Sequence, residues 1–244
     1  MRLPKHPIAM DTVFRRCLLV NYAMAPSTLA AALPRGVQPD VYAGQAWLSV
    51  VVGDMWRMRP TGIPAALGVS YRQVVYRPAV RCGTSSGVHF LRSDANSRIM
   101  NVGGNLLSFF RFHYAPIQWD HDGSGHRIRV TSRDGTADVD LALTEPPAAE
   151  LPAGSAFPDV ETAVQHLVQR FAAYHPRADR PTVDVVGIRR DPWPVTVVST
   201  THARLGYLDG RGPFPPGSTR LDSVFLARDV PYHWYRLRTE PLTA

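Results

Sequence analysis

Lysine is almost missing from this chain. Lys5 is the only one, and the other 26 of the 27 basic residues are arginines. Imine catalysis needs a lysine amine held in a desolvated pocket. Lys5 stands in a polar, Pro-flanked terminus expected to fray, so a Schiff-base mechanism is not expected. Glutamate is scarce too, occurring at positions 145, 150, 161 and 240 alone. Cysteine is limited to Cys17 and Cys82. Two are too few for a disulfide framework, and they read as buried thiols of a reducing compartment, with a spatial pair left open. No apolar run approaches the roughly 20 residues that span a bilayer. The N-terminus MRLPKHPIAMDTVFRRCLLVNY lacks the continuous apolar region of a signal peptide. A cytoplasmic protein without a membrane partner is the expectation. The net charge is +7, yet the arginines are dispersed, with no run longer than Arg15-Arg16 or Arg189-Arg190. Nucleic-acid binding needs a basic stripe or cluster, so no nucleic-acid partner is expected. Arginine in place of lysine reads as the codon usage of a GC-rich genome.

What is present is material for a core. Hydrophobic residues make up 45% of 244, enough for one large domain or two small ones. Strand signals dominate, at 13–22, 45–58, 69–82, 87–94, 97–102, 105–118, 183–190, 194–202, 220–228 and 232–238. Gly53 inside the run 45–58 suggests a bulge or bend. Asp134-Gly135 between 126–132 and 136–143 is a hairpin signal. Helices are few. Residues 26–33 begin with Pro26 and stop before Pro34. Residues 159–174 start at a candidate N-cap, Asp159, and repeat apolar residues every three or four positions up to Phe171 and Tyr174. Residues 144–158 read as a linking loop. The sum is an α+β fold, one domain over 1–244 with its core at about 13–238, around a large antiparallel sheet or barrel.

Several motifs fail on context. Gly83-Thr84-Ser85-Ser86-Gly87 matches G-x-S-x-G, but a nucleophile elbow needs a helix after it and here a strand follows. Gly103-Gly104 and Gly123-Ser124-Gly125 open no helix with phosphate-loop spacing. His121, Asp122 and His126 lie in a polar loop without a metal-ligand spacing, so no metal and no cofactor are expected.

The informative stretches carry polar groups on what ought to be a core face. In 69–82, Tyr71, Gln73, Val75, Arg77 and Ala79 share one side, with Arg72 and Tyr76 on the other. In 106–114, strand parity puts Leu107, Phe109, Arg111 and His113 together. Either this is an outer face with Arg111 stacked on an aromatic, or Arg111 and His113 line a cavity, binding a carboxylate and moving a proton. In 87–94, Arg92 either pairs with Asp94 or binds a substrate carboxylate.

The order of segments is distinctive: Leu33-Pro34-Arg35-Gly36 through Asp40, Ala46-Trp47-Leu48, Arg77-Pro78-Ala79-Val80 and Gly87-Val88-His89-Phe90 through Asp94-Ala95. It continues with His113-Tyr114-Ala115-Pro116, Asp191-Pro192-Trp193-Pro194-Val195, and Asp222-Ser223-Val224 through Asp229-Val230. This order resembles the YqjF-like bacterial family. It covers roughly residues 15–238. That family is similar to the acetoacetate decarboxylase superfamily, which implies a cone-like antiparallel barrel around a small-molecule cavity. The decarboxylase carries a Tyr-x-Glu and, further on, a Pro-Lys-Lys whose lysine forms the imine. Here Tyr71-Arg72-Gln73 stands at the first place and Arg111-Phe112-His113 in the region of the second.

The resulting expectation is a lysine-independent lyase, isomerase or cyclase acting on an oxo-acid or polyketide-like substrate through an enolate. Tyr71, Gln73, Arg111 and His113 are the candidate catalytic groups, and Arg77, His89 and Arg92 the candidate substrate-binding ones. The partner would be a small, acidic molecule, with homo-oligomerisation left open. The alternatives are a non-catalytic binding protein for such a ligand and an aromatic-rich dimerisation module.

Overall fold

The computed structural model describes residues 5–148 and 150–242. Four long antiparallel strands form the frame: Met10–Met24, Gln45–Pro60, Val69–Cys82 and Thr219–Trp234. They pair in the order 69–82, 45–60, 10–24, 219–234. Their valine, leucine and tyrosine content favours a pleated backbone. Both faces are covered, so the apolar runs are nearly continuous, and residues 17–24 are buried without exception.

One face of the frame carries Leu18, Val20, Leu48, Val50, Val74 and Tyr76. It packs against a second layer that contributes Trp119, Ile128, Leu141 and Val198. That layer consists of strands Ile117–His121, Gly125–Val130, Val139–Ala148 and Val195–Leu205. The other face carries Cys17, Leu19, Val51, Val75 and Phe225, packed with Trp193 and Tyr232. This face is the inside of a barrel.

The ring closes through three shorter strands. Val69–Cys82 turns back into Ser85–Val88, which takes Ala172–Pro176 in parallel at Ala173. Ala172–Pro176 pairs with Thr182–Arg189, and Ile188 and Arg189 meet Trp234 and His233 of the last frame strand. The result is a single-domain, seven-stranded α+β barrel with extra strands and, among the described residues, three short α-helices. Those helices are Pro26–Ala32, Arg98–Leu107 and Val160–Ala163.

Four local expectations change. Residues 97–102 and the start of 105–118 are not strand but the helix Arg98–Leu107, capped by Ser97, whose Oγ accepts from the Met100 amide at 3.3 Å. The helix expected over 159–174 starts as read, with Asp159 accepting from the Thr162 amide at 2.7 Å. It ends with a π-turn at Val164–Val168, because residues 172–176 are needed as a ring strand. Gly53 is not the bulge. A Cβ there would come within 2.7 Å of the Phe14 ring, whereas the register shift lies between Met55 and Met58, where Arg57 has φ 52°. The expected loop 144–158 begins as a continuation of strand Val139–Ala148. The hairpin signal at Asp134-Gly135 does join paired strands, with Val130 opposite Val139.

Candidate active site in the barrel lumen

The strand Val69–Cys82 aims Tyr71, Gln73, Val75, Arg77 and Ala79 into the lumen, all buried. At the open end is a cavity of about 240 Å³, lined by Met55, Met58, Phe110, Phe112 and Trp234 among others. Into this largely apolar space project three neutral polar groups: the Tyr71 phenol, the Gln73 amide and the Ser93 hydroxyl. Ser93 Oγ is buried without a hydrogen-bond partner. Among the described residues, no protein group bonds the Tyr71 hydroxyl or the Gln73 amide either. Burial pushes the Tyr71 pKa upward, so it is a neutral donor throughout the ordinary pH range. Buried polar groups are nearly always satisfied, and the orphaned Ser93 hydroxyl, with Tyr71 and Gln73 beside it in the lining, marks where a ligand's polar atoms fit.

The helix Arg98–Leu107 roofs this cavity. Asn105 accepts from the Phe112 amide at 2.7 Å, and Asn101 and Asn105 donate to the Phe112 carbonyl at 2.9 and 2.7 Å. Arg111 is forced into the left-handed region, φ 51°. That pinning turns Phe112 inward. The Gly104 position is correspondingly tight: a Cβ there would lie 2.4 Å from the Phe112 ring.

The same turn overturns the central expectation for 111–113. Arg111 and His113 are both exposed, on the solvent side of the short strand Phe112–Tyr114. They are not the lumen's acid/base pair. Arg92 also leaves the ligand list. Its Nε and Nη2 donate to Asp94 at 2.8 Å each, and its terminal nitrogens reach Asp134 at 2.7 and 3.1 Å and Thr136 at 2.8 Å. With its donors so engaged it is a clamp beneath the second layer, beside Tyr76 in register. Tyr76 itself is wholly buried there, on the outer face of the barrel under the second layer. His89 is buried with Nδ1 2.8 Å from the Tyr174 carbonyl, and desolvation lowers its pKa to about 4. Its neutral ring therefore donates from Nδ1 and braces the ring strand Ala172–Pro176, away from the cavity lining.

Arg77 is different. It faces the lumen two residues beyond Val75, 7% exposed, with Nε and Nη2 buried and unpartnered. Burial lowers its pKa, while Tyr232 and Cys17 nearby oppose the shift.

His6 also lines the cavity, which the sequence reading did not anticipate. Its ring sits edge-on to Phe109 and Phe110, at 4.6 and 4.7 Å. Lys5 and His6 are anchored. Lys5 Nζ caps the roof helix by donating to the Asn105 and Leu106 carbonyls at 2.6 and 3.1 Å, and the Leu237 amide donates to the His6 carbonyl at 3.0 Å. Burial lowers the His6 pKa to about 4. The only sequence signal for this was a histidine between two prolines ahead of the first strand.

A closed, mostly antiparallel ring with a lumen cavity is the acetoacetate decarboxylase-like architecture. The acetoacetate decarboxylase of Legionella pneumophila subsp. pneumophila str. Philadelphia 1 superposes with a TM-score of 0.64 at 12% identity, over 95% of this chain and 86% of that one. An acetoacetate decarboxylase-like enzyme from Sphingomonas wittichii RW1 gives 0.63 at 14%, over 97% and 94%. The enduracididine biosynthesis enzyme MppR complexed with pyruvate gives 0.60 at 12%, over 98% and 91%. At such identities the likeness is one of fold. Residues 12–231 match DUF2071, a family described as an uncharacterized conserved protein, and the chain belongs to it. Uncharacterized protein YqjF of Bacillus subtilis (strain 168) is 24% identical over 115 residues. The match spans 47% of this chain and 48% of that relative, about half the length of each. Among the described residues, no helix is long and apolar enough to cross a membrane.

Proposed function

We propose that this chain is a cytoplasmic enzyme of the acetoacetate decarboxylase-like superfamily that acts on a small carbonyl compound, an oxo-acid or polyketide-like molecule, without a Schiff-base lysine. The observation that carries the reading is the unpartnered Ser93 hydroxyl beside Tyr71 and Gln73 in the lining of one largely apolar cavity. Donors fixed in a dry site stabilise charge that develops on a carbonyl oxygen, because they need no reorganisation as the enolate forms. Gln73 holds that oxygen without titrating. Tyr71, kept protonated by burial, donates to it. The lone lysine is engaged at the helix end, so stabilisation of an enolate replaces imine formation. The reaction type is then a lyase, isomerase or cyclase step, and the partner is the small molecule itself. The pyruvate in MppR and the decarboxylase name of a second neighbour lend support by analogy of fold.

A second reading has its own observation. The two titratable groups of the cavity lie far from neutrality, His6 at about 4 and Tyr71 above the ordinary range. A catalytic acid or base works best with a pKa near the working pH, so a non-catalytic binding protein for the same ligand is the alternative. Incubating the protein with oxo-acids and 1,3-dicarbonyls in D2O, followed by NMR, separates the two. Exchange of α-protons or turnover, lost in Tyr71→Phe and Gln73→Ala, supports the enzyme. Binding without exchange or turnover supports the carrier, and absence of binding sinks both.

A further inference from the structure

Beyond Val75, the last residue of strand Val69–Cys82 to line the cavity, the protein holds cationic donors that it leaves without a partner. Arg77 Nε and Nη2, Arg190 Nη1 and Trp193 Nε1 are all buried donors without a partner. They belong to one cluster. Arg190 lies over the Trp193 ring at 4.5 Å and the Phe171 ring at 5.0 Å, and its Nη2 donates to the Val168 carbonyl. Tyr232 packs on Phe14 at 5.0 Å and on Trp193 at 6.2 Å. Tyr232, Cys17 and Arg190 are near neighbours of Arg77. Trp234, two residues beyond Tyr232 on the same strand, lines the cavity above, as do Gln73 and Val75 on the strand of Arg77. Among the described residues no carboxylate pairs with Arg77 or Arg190. Asp40 is taken by Arg170.

A buried guanidinium without a counter-charge is costly. Folding alone gives no reason to leave Arg77 so, with the half-buried Arg190 keeping an unpartnered Nη1 in the same cluster. An occupant that brings negative charge gives that reason, since charge-assisted bonds from planar guanidinium groups suit a carboxylate. We infer that Arg77 and Arg190, with the Trp193 indole N–H, form the seat for a carboxylate at the closed end of the lumen. The ligand then lies with its acid group down, its carbonyl at Gln73, Tyr71 and Ser93, and its apolar remainder against Met55, Met58 and Trp234. This deepens the proposed function and rests on it, since it fixes the orientation of the substrate and selects an oxo-acid over a neutral polyketide. Arg190 and Trp193 were not among the residues the sequence singled out. Arg77 was, but as one of several arginines that could not be ranked.

The test uses a matched pair of probes, 5-oxohexanoate and hexan-2-one, titrated calorimetrically into the whole chain. The two place a methyl ketone identically and differ in the carboxylate. Wild type is expected to bind the acid at least tenfold more tightly than the ketone. Arg77→Met and Arg190→Met are expected to bring the acid down to the ketone's affinity and leave the ketone unchanged, whereas Gln73→Ala weakens both probes. Arg77→Met, free of ligand, is also expected to unfold at higher denaturant than wild type, because it removes an uncompensated buried charge. Equal affinities in wild type, or a preference for the acid that survives both arginine variants, overturns the seat and leaves the cavity reading standing. Failure of both probes to bind overturns the two together. Should Arg77→Met not fold, its unpaired charge was structural and the seat is likewise refuted, with Arg190→Met as the independent check.

Discussion

Replacing Arg92 with methionine separates a structural clamp from a ligand contact. The Asp94 side chain is 0% exposed and that of Arg92 7%, and the two share a bidentate pair at 2.8 Å. Removing one partner of such a buried pair leaves an uncompensated charge, at a cost of about 3–5 kcal/mol. The Asp134 arm adds little, because that carboxylate is 46% exposed and screened. For a domain of this size about 1 kcal/mol corresponds to roughly 2–4 °C in Tm, so Arg92→Met is expected to melt about 6–20 °C lower. Urea denaturation with an unchanged m-value measures the same loss as a shift in midpoint. The double variant Arg92→Met/Asp94→Leu is expected to recover most of it, since an apolar pair of similar volume substitutes for a buried ion pair. Affinity for 5-oxohexanoate, measured where the single variant remains folded, stays within a factor of two or so of wild type, well under the tenfold that about 1.4 kcal/mol represents. A loss of less than about 1 kcal/mol in stability, or a collapse of binding in a stable variant, would refute the clamp and return Arg92 to the ligand site.

Other substitutions probe the roof and the rim. Gly104→Ala puts a methyl against the Phe112 ring, which must move into the cavity, so it is expected to cost about 1–3 kcal/mol and weaken ligand binding; unchanged melting would show that the roof yields freely. His113→Ala is expected to leave binding and turnover as they are, and Arg111→Gly to stabilise by up to about 1 kcal/mol by relieving its positive φ; loss of activity in either would restore them to the site. Acid sensitivity follows from the buried imidazoles. The folded-state pKa of His89 is about 4 against 6.5 in a free side chain, so the unfolded chain takes up the proton first. Its contribution is fully present above pH 6.5 and falls away towards pH 4, by at most about 1.4 kcal/mol per pH unit. His6 and His166 act in the same direction. His89→Asn keeps a donor for the Tyr174 carbonyl and should flatten that slope by one proton; an identical slope would mean that His89 is charged in the fold.

The frame of the barrel was legible because its signal is local and redundant. Strand 69–82 carries Tyr71, Gln73, Val75 and Arg77 at period two, and that parity is the one the fold uses. Residues 98–114 misled for a physical reason. Leu106, Leu107, Phe109 and Phe110 look like a strand, and Gly103-Gly104 and two asparagines are poor helix formers. The helix exists because Asn101 and Asn105 bond the Phe112 backbone, contacts that no single-residue propensity encodes. Once that anchor forms, Phe112 turns in and the parity of Arg111 and His113 reverses. The short helix after Asp159 stopped early for a comparable reason, since closing the ring requires Ala173 beside Val88. Ser93, Arg190 and His6 come from three separate segments, and only the closed barrel brings them to one lumen.

A crystal structure of the protein with 5-oxohexanoate tests the central claim most directly. The account predicts density inside the barrel, with the ketone oxygen within hydrogen-bond reach of Gln73 and Tyr71 and the carboxylate against Arg77 and Arg190. Density at the exposed Arg111–His113 face, or an unchanged and empty lumen at saturating ligand, would contradict it.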